Sequence, residues 1–381
     1  MSNHESTSRH MNRRLVITGT GIAVAGGALA SRFAPGSVAQ TGDATPGTGA
    51  TPELFGGVEV DPQMQELLDA LAATEAPSIE EVTPQIARNL PSIASAVLAV
   101  TAARGGAGQE AIGGISHILV PGGDSDIVAR VYTPLHAPEG PLPVAVYFHG
   151  GGFVIADLDT YDASCWALAN ASGALVVSVA YRQAPENPYP AAANDAYAAT
   201  QWIIENAGQI NGDPARVAVV GESAGGNLAT VVCLLARDLG GSAPIHQVLV
   251  YPVATFAPSG DQTQSIDQFA DASPLNSAML EWFGSYYLPD QALAESDPYV
   301  SPAIADLTGL PPATVILAEI DPLHDQGEIY AQQLSDAGVD TTLTTYEGVT
   351  HEFFGTGLVV DKAIEDVEEA AGRLREAFGT A

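Results

Sequence analysis

From residue 115 onward the chain alternates two textures. Short apolar runs at 144–148, 175–179, 217–220, 248–251 and 315–317, with a further strand-like run at 341–346, are separated by longer stretches with helical spacing. Runs apolar on both faces predict strands of a parallel sheet, and the stretches between them predict helices covering it on both sides. Two earlier runs, 115–120 and 127–132, are joined by Pro121-Gly122-Gly123-Asp124 and predict a hairpin. Together these give an α/β fold with a mostly parallel eight-stranded sheet. No internal repeat is evident.

Two regions break that rhythm. Ahead of the hairpin, Asp61-Pro62 supplies an N-cap and first-turn proline to Met64, Leu67, Leu68 and Leu71, which recur at helical spacing. A second helical stretch runs from about 83 to 103, broken at Pro91. Residues 255–300 begin as a polar loop and continue past Ser273-Pro274 into a helix dense in aromatics, with Met279, Leu280, Trp282, Phe283, Tyr286 and Tyr287. Either this helix packs onto the sheet as ordinary core, or it forms a cap over the site together with the earlier helices. The expected organisation is a main domain at 58–381, with cap elements at about 58–105 and 255–300.

The N-terminus reads as an address. Arg9, Arg13 and Arg14 precede a weakly apolar run at 15–30, and Ser37-Val38-Ala39 offers a small-residue cleavage site. The arginine pair in Asn12-Arg13-Arg14-Leu15 resembles a twin-arginine signal. Residues 1–39 are thus expected to direct export to the periplasm or the exterior and to be cleaved near Ala39. A retained anchor is the alternative, although the run is short and glycine-rich for a membrane span. After removal no stable membrane insertion is expected. Residues 40–57, rich in Thr, Gly, Pro and Ala, predict a flexible tether.

Composition narrows the partners. A formal charge of −32, with Lys362 the single lysine, argues against nucleic acid and anionic membrane surfaces. Such acidity fits a saline habitat, and an arginine-over-lysine genome bias accounts for it equally well. Cys165 and Cys233 fall in separate predicted helices and read as small buried hydrophobes rather than a disulfide.

The candidate chemistry centres on Gly221-Glu222-Ser223-Ala224-Gly225, which follows an apolar strand and opens a helix. A G-x-S-x-G turn in that setting lifts a serine hydroxyl above a sheet and sets the next N–H beside it. A nucleophilic serine needs a base, an acid to orient the base, and donors for the developing oxyanion. His149-Gly150-Gly151-Gly152-Phe153 follows a strand directly, and glycines let N–H groups approach a substrate oxygen closely. Asp321 stands at the end of the 314–320 strand, ahead of Glu319 and Asp325 as the orienting acid. His351 lies after the last strand and the loop 347–350, which completes the order Ser, Asp, His. His149 reads as a residue that shapes the glycine loop.

Four motifs in order, His149-Gly-Gly-Gly152, Tyr181-Arg182-Gln-Ala184-Pro185-Glu186, Gly221-Glu-Ser-Ala-Gly-Gly226 and Asp321-Pro322-Leu323, resemble the bacterial hormone-sensitive-lipase-like esterases of the α/β-hydrolase fold. The likeness runs from about residue 115 to the C-terminus. Two departures stand out: His324 and Gln326 after Asp-Pro-Leu, where that family often has Arg and Glu, and Glu352 where it often has glycine after the histidine. The resemblance implies a carboxylesterase for short to medium acyl esters under a helical cap, acting on small molecules with no metal or cofactor. It implies Ser223 as nucleophile, His351 as base and acid, and Asp321 as orienter, with Gly151, Gly152 and Ala224 donating to the oxyanion. Phe153, Trp282, Phe283 and Tyr286 are the substrate-pocket candidates, and the 181–186 segment is expected to brace loops. An amidase, lactonase or carbamate hydrolase would use the same triad. A relative that binds small molecules without catalysis would usually lack one triad member.

Overall fold

The computed structural model describes residues 54–106 and 108–381. The segment read as an export signal, and the expected tether up to residue 53, lie outside the described residues. The last tether residues are ordered: β1 (Leu54–Phe55) pairs antiparallel with β2 (Val58–Glu59) across Gly56 and Gly57. Both glycines have positive φ, which a two-residue hairpin turn of this kind requires.

Among the described residues, eight further strands form one sheet in the order β10-β9-β8-β7-β5-β6-β4-β3. They are β3 (Gly114–Pro121), β4 (Asp126–Thr133), β5 (Leu142–Phe148), β6 (Leu175–Val179), β7 (Gly212–Glu222), β8 (Gln247–Val250), β9 (Ala313–Ile320) and β10 (Thr341–Thr350). The β3–β4 hairpin and its junction with β6 are antiparallel, and every other pairing is parallel. Every residue of β5, β6 and β8 is buried, which is why those runs are apolar without alternation.

Alternate positions serve different cores. Val144, Val146 and Phe148 of β5 join a cluster with the helices Ala191–Asn206 and Ala224–Leu239, while Ala145 and Tyr147 join the helices Asp162–Ser172 and Lys362–Phe378 on the other face. Cys165 and Cys233 are buried free thiols, one in each cluster.

The helices before the sheet form as read. Asp61 caps Pro62–Ala72 through the N–H of Gln63 at 2.8 Å, and the stretch that Pro91 breaks becomes Pro84–Ala87 and Ile93–Ala103. The aromatic helix spans Ser277–Tyr287, capped by Asn276. One expectation changes: residues 347–350 are not a loop but the end of β10, which shifts register between Tyr346 and Thr350. Gly348, at φ +71°, makes the kink, and its N–H donates to Glu319 Oε2 at 2.7 Å. That bond commits Glu319 to the strand.

Among the described residues, no helix is long and apolar enough to cross a membrane.

Candidate active site

β7 ends at Glu222 and the next helix starts at Ala224, so a single residue, Ser223, turns the chain. Its backbone sits at φ +55°, ψ −116°, a conformation L-residues avoid and one that marks a constrained site. Neighbouring glycines make the turn feasible. A Cβ on Gly221 would run into the Gly225 carbonyl, and one on Gly225 into that of Phe148. Hydrogen bonds then pin the turn: the Ser223 N–H donates to Val250 O at 2.9 Å, and its carbonyl accepts from Asn227 and Val253 at 3.1 and 3.2 Å. Ser223 is 6% exposed.

The kinked end of β10 delivers His351, and the end of β9 delivers Asp321. Asp321 is fully buried and accepts from two groups. The Leu323 N–H donates to its Oδ1 at 2.8 Å, and His351 Nδ1 lies 2.6 Å from Oδ2. That contact fixes the proton on Nδ1 and leaves Nε2 to act as a base. Burial disfavours the imidazolium, but the Asp321 charge and hydrogen bond outweigh it and hold His351 above the usual histidine range, with Glu352 and Glu222 adding to the rise. Asp325 is committed elsewhere, accepting the Ser265 N–H at 2.6 Å.

After β5 the chain runs through Gly151 and Gly152 at φ +96° and +57°. A Cβ on Gly152 would strike the ring of Phe283. The N–H groups of Gly151, Gly152 and Ala224 meet no acceptor among the described residues. Behind this loop the 181–186 segment acts as a brace. Tyr181 donates to His149 O at 2.8 Å, Gln183 to Ile155 O at 2.6 Å, and the Ala184 N–H to Phe153 O at 2.9 Å. His149 stacks on Tyr181, with 4.4 Å between ring centroids, and lies 2.7 Å from Gly150 O. Burial pulls its pKa down to about 4, so it sits neutral in the loop.

Sequence reasoning missed the layer beneath Ser223 and His351. Glu222 is fully buried and accepts hydrogen bonds from the Tyr147 and Tyr251 hydroxyls. Burial pushes it up to about 7, against those donors and Ser164, while Glu352 adds to the rise. Tyr251 also packs on His351 at 4.4 Å. The available signal was a carboxylate ending an otherwise apolar strand.

Two cavities meet at Ser223. One, of about 370 Å³, is lined by Ser223, His351, Glu352, Gly151 and Gly152, and by residues of both segments expected to form a cap, such as Ile79 and Met279. The other, of about 540 Å³, shares Ser223, Gly152, Leu275 and Phe283 but not His351, and is walled by Phe153, Phe256 and Leu280. Of the four substrate-pocket candidates, Phe153 and Phe283 line these cavities. Trp282 and Tyr286 line neither: the Trp282 indole donates to Val82 O at 3.2 Å, and its ring packs edge-on against Tyr286 at 4.8 Å. Helical spacing turns the Phe283 face inward and leaves Trp282 to tie the helix to the N-terminal segment.

A profile of the alpha/beta hydrolase fold family matches residues 145–355. The chain is 41% identical to carboxylesterase NlhH of Mycobacterium tuberculosis over 259 residues, covering 67% of this chain and 80% of the relative. It is 39% identical to an ethyl acetate hydrolase of Pseudomonas putida, covering 65% and 77%. A solved hyperthermophilic esterase from Pyrobaculum calidifontis superposes with a TM-score of 0.76 at 38% identity, covering 84% of this chain and 99% of that one.

Proposed function

The chain belongs to the hormone-sensitive-lipase-like carboxylesterases of the α/β-hydrolase fold, and from that premise we propose that it cleaves short to medium acyl esters of small molecules with Ser223, His351 and Asp321. The observation that carries this reading is the 2.6 Å contact between buried Asp321 and His351, beside a serine held at positive φ on the same cavity. Asp321 keeps the His351 proton on Nδ1, so Nε2 takes the Ser223 proton as the hydroxyl attacks the ester carbonyl. The oxyanion that forms is met by the unpaired N–H groups of Gly151, Gly152 and Ala224. Donors of this kind contribute roughly 3–4 kcal/mol each to the barrier reduction. His351 then protonates the departing alcohol, and a water repeats the cycle on the acyl-enzyme.

The acyl-length reading is supported by the second cavity, mostly apolar and about 540 Å³, which the helix Ser277–Tyr287 walls on one side. Ser223→Ala is expected to abolish hydrolysis of p-nitrophenyl butyrate while circular dichroism and melting stay as in the parent. Residual activity near the parent level overturns the assignment. In the same assay, a rate maximum at palmitate rather than at short or medium chains overturns the length reading alone.

A further inference from the structure

Glu352 occupies the position after the base histidine where the related esterases often carry glycine, and it keeps the backbone that glycine favours. Its φ is +64°. Placing a β-carbon there strains the chain, and strain kept at a reacting centre points to a role for the side chain. The side chain is half-buried and lines the cavity that holds Ser223 and His351. One of its oxygens accepts from Tyr161 at 3.3 Å, a long bond, and the other has no partner among the described residues.

The two cavities have different chemical duties. The alcohol leaves with a proton from His351, so its oxygen must depart on the side that His351 lines. That is the cavity of about 370 Å³, and the cavity without His351 is left for the acyl chain. The charged groups lining the alcohol side, His351 apart, are Glu80, Arg88, Asp271 and Glu352. Arg88 is already neutralised: its guanidinium holds Glu186 at 2.7 Å and the carbonyls of Val154 and Ala184. Glu80 accepts from Asn276 at 3.2 Å through Oε1, while its Oε2 is buried without a partner. Three carboxylates therefore face this cavity with no free cation against them.

We infer that Glu352 is a specificity-determining residue for the leaving group, selecting esters whose alcohol carries a positive charge. This rests on the Ser223 reading above and concerns only which alcohol is preferred. Burial holds the Glu352 carboxyl above its usual range, against the pull of His351 and Tyr161, so a cation brought beside it has more to gain than at an exposed acid. The mostly apolar cavity on the acyl side is lined by one carboxylate, Glu281, which is exposed, against three on the alcohol side.

The test compares butyrylcholine with 3,3-dimethylbutyl butyrate, its uncharged isostere, at about pH 8, well above the ordinary carboxylate range. The quantity read is the ratio of kcat/KM for the two esters within each variant, which a general loss of activity leaves untouched. The parent protein is expected to favour the choline ester about fivefold or more, and Glu352→Gln to bring the ratio within about twofold of unity, magnitudes that match a partly screened ion pair. Glu205→Gln, at an exposed acid on another helix, is expected to keep the parent ratio. Parity in the parent, or an unchanged ratio in Glu352→Gln, overturns the inference. An equal drop in Glu205→Gln assigns the preference to the field of the whole acidic molecule and overturns it too. Hydrolysis of either ester by Ser223→Ala would instead sink the underlying assignment. Glu352→Gly gives a second readout: it should lose the preference and melt higher than the parent, because it relieves the positive φ.

Discussion

His351 must be neutral to accept a proton, yet three carboxylates around it favour the charged form. Asp321 contributes most, by contact at 2.6 Å, and Glu352 and Glu222 add at longer range. Because the folded pKa is raised, the acid limb of kcat/KM is expected above the ordinary histidine value of about 6.5. A limb centred below about 6 would contradict the geometry. Asp321→Asn keeps an oxygen for the Leu323 N–H but turns an NH2 donor to His351 Nδ1, which favours the wrong tautomer and should lower kcat by about 10⁴, read at the pH optimum of each protein. Ser223, Asp321 and His351 were legible in the sequence because each ends a strand with a local signature. Glu222, Tyr251 and the role of Glu352 were not. A tyrosine at the end of β8 reads as core, and only the folded chain shows its hydroxyl reaching Glu222 and its ring on His351.

At the scale of elements, the glycine loop at 149–153 depends on a segment that lines neither cavity at Ser223. Arg182 ties the 181–186 stretch to Asp195 through its N–H and Nε at 2.9 and 2.8 Å to Oδ2 and through Nη2 at 2.8 Å to Oδ1. Asp195 is fully buried and also accepts the Gly123 N–H at 2.7 Å, so it joins this brace to the turn of the β3–β4 hairpin. Removing Asp195 takes the buried acceptor from the Gly123 and Arg182 N–H groups, which typically costs about 1–3 kcal/mol per group, while the Arg182 guanidinium keeps Asp124. Asp195→Ala should therefore lower the urea midpoint by that equivalent, whereas Asp124→Ala, which strips the exposed partner of Arg182, should shift it by less than about 1 kcal/mol. Comparable losses would show that the brace does not depend on burial. The sequence made the braced elements readable through unbroken apolar runs, the hairpin glycines and the Asp61 cap. It hid the end of β10, because Glu347-Gly348 carries turn chemistry and only pairing with β9 and the Glu319 carboxylate reveals a kinked strand.

Over the whole molecule, two kinds of acid set the pH dependence of stability, and they separate by experiment. The surface share of the −32 charge repels itself, and salt screens that repulsion over about 10 Å at 0.1 M. Glu222, raised to about 7, and Asp366, both fully buried, are beyond the reach of most screening, and half-buried Glu352 is raised as well. Each holds its proton more tightly folded than unfolded, so between the ordinary carboxylate range and neutrality the folded state carries more protons. Stability then falls as pH rises through that window. His351, with its raised pKa, acts in the same direction. His149 and His246, pulled to about 4 by burial, act the other way: the folded state refuses protons that the unfolded chain binds below about 6.5, so their effect opposes further acidification. The melting temperature should therefore rise as pH falls from about 8 to 6.5 and level off below, where the histidines counter the carboxylates. At about pH 8 added sodium chloride should also raise it, by screening alone. Glu222→Gln keeps one acceptor oxygen, presents an NH2 donor to the other tyrosine hydroxyl, and cannot titrate. It should flatten the pH slope, each kcal/mol amounting to about 2–4 °C, and leave the salt response intact. An unchanged pH slope in that variant would exclude Glu222 as its source, and a melting temperature indifferent to salt would exclude surface repulsion.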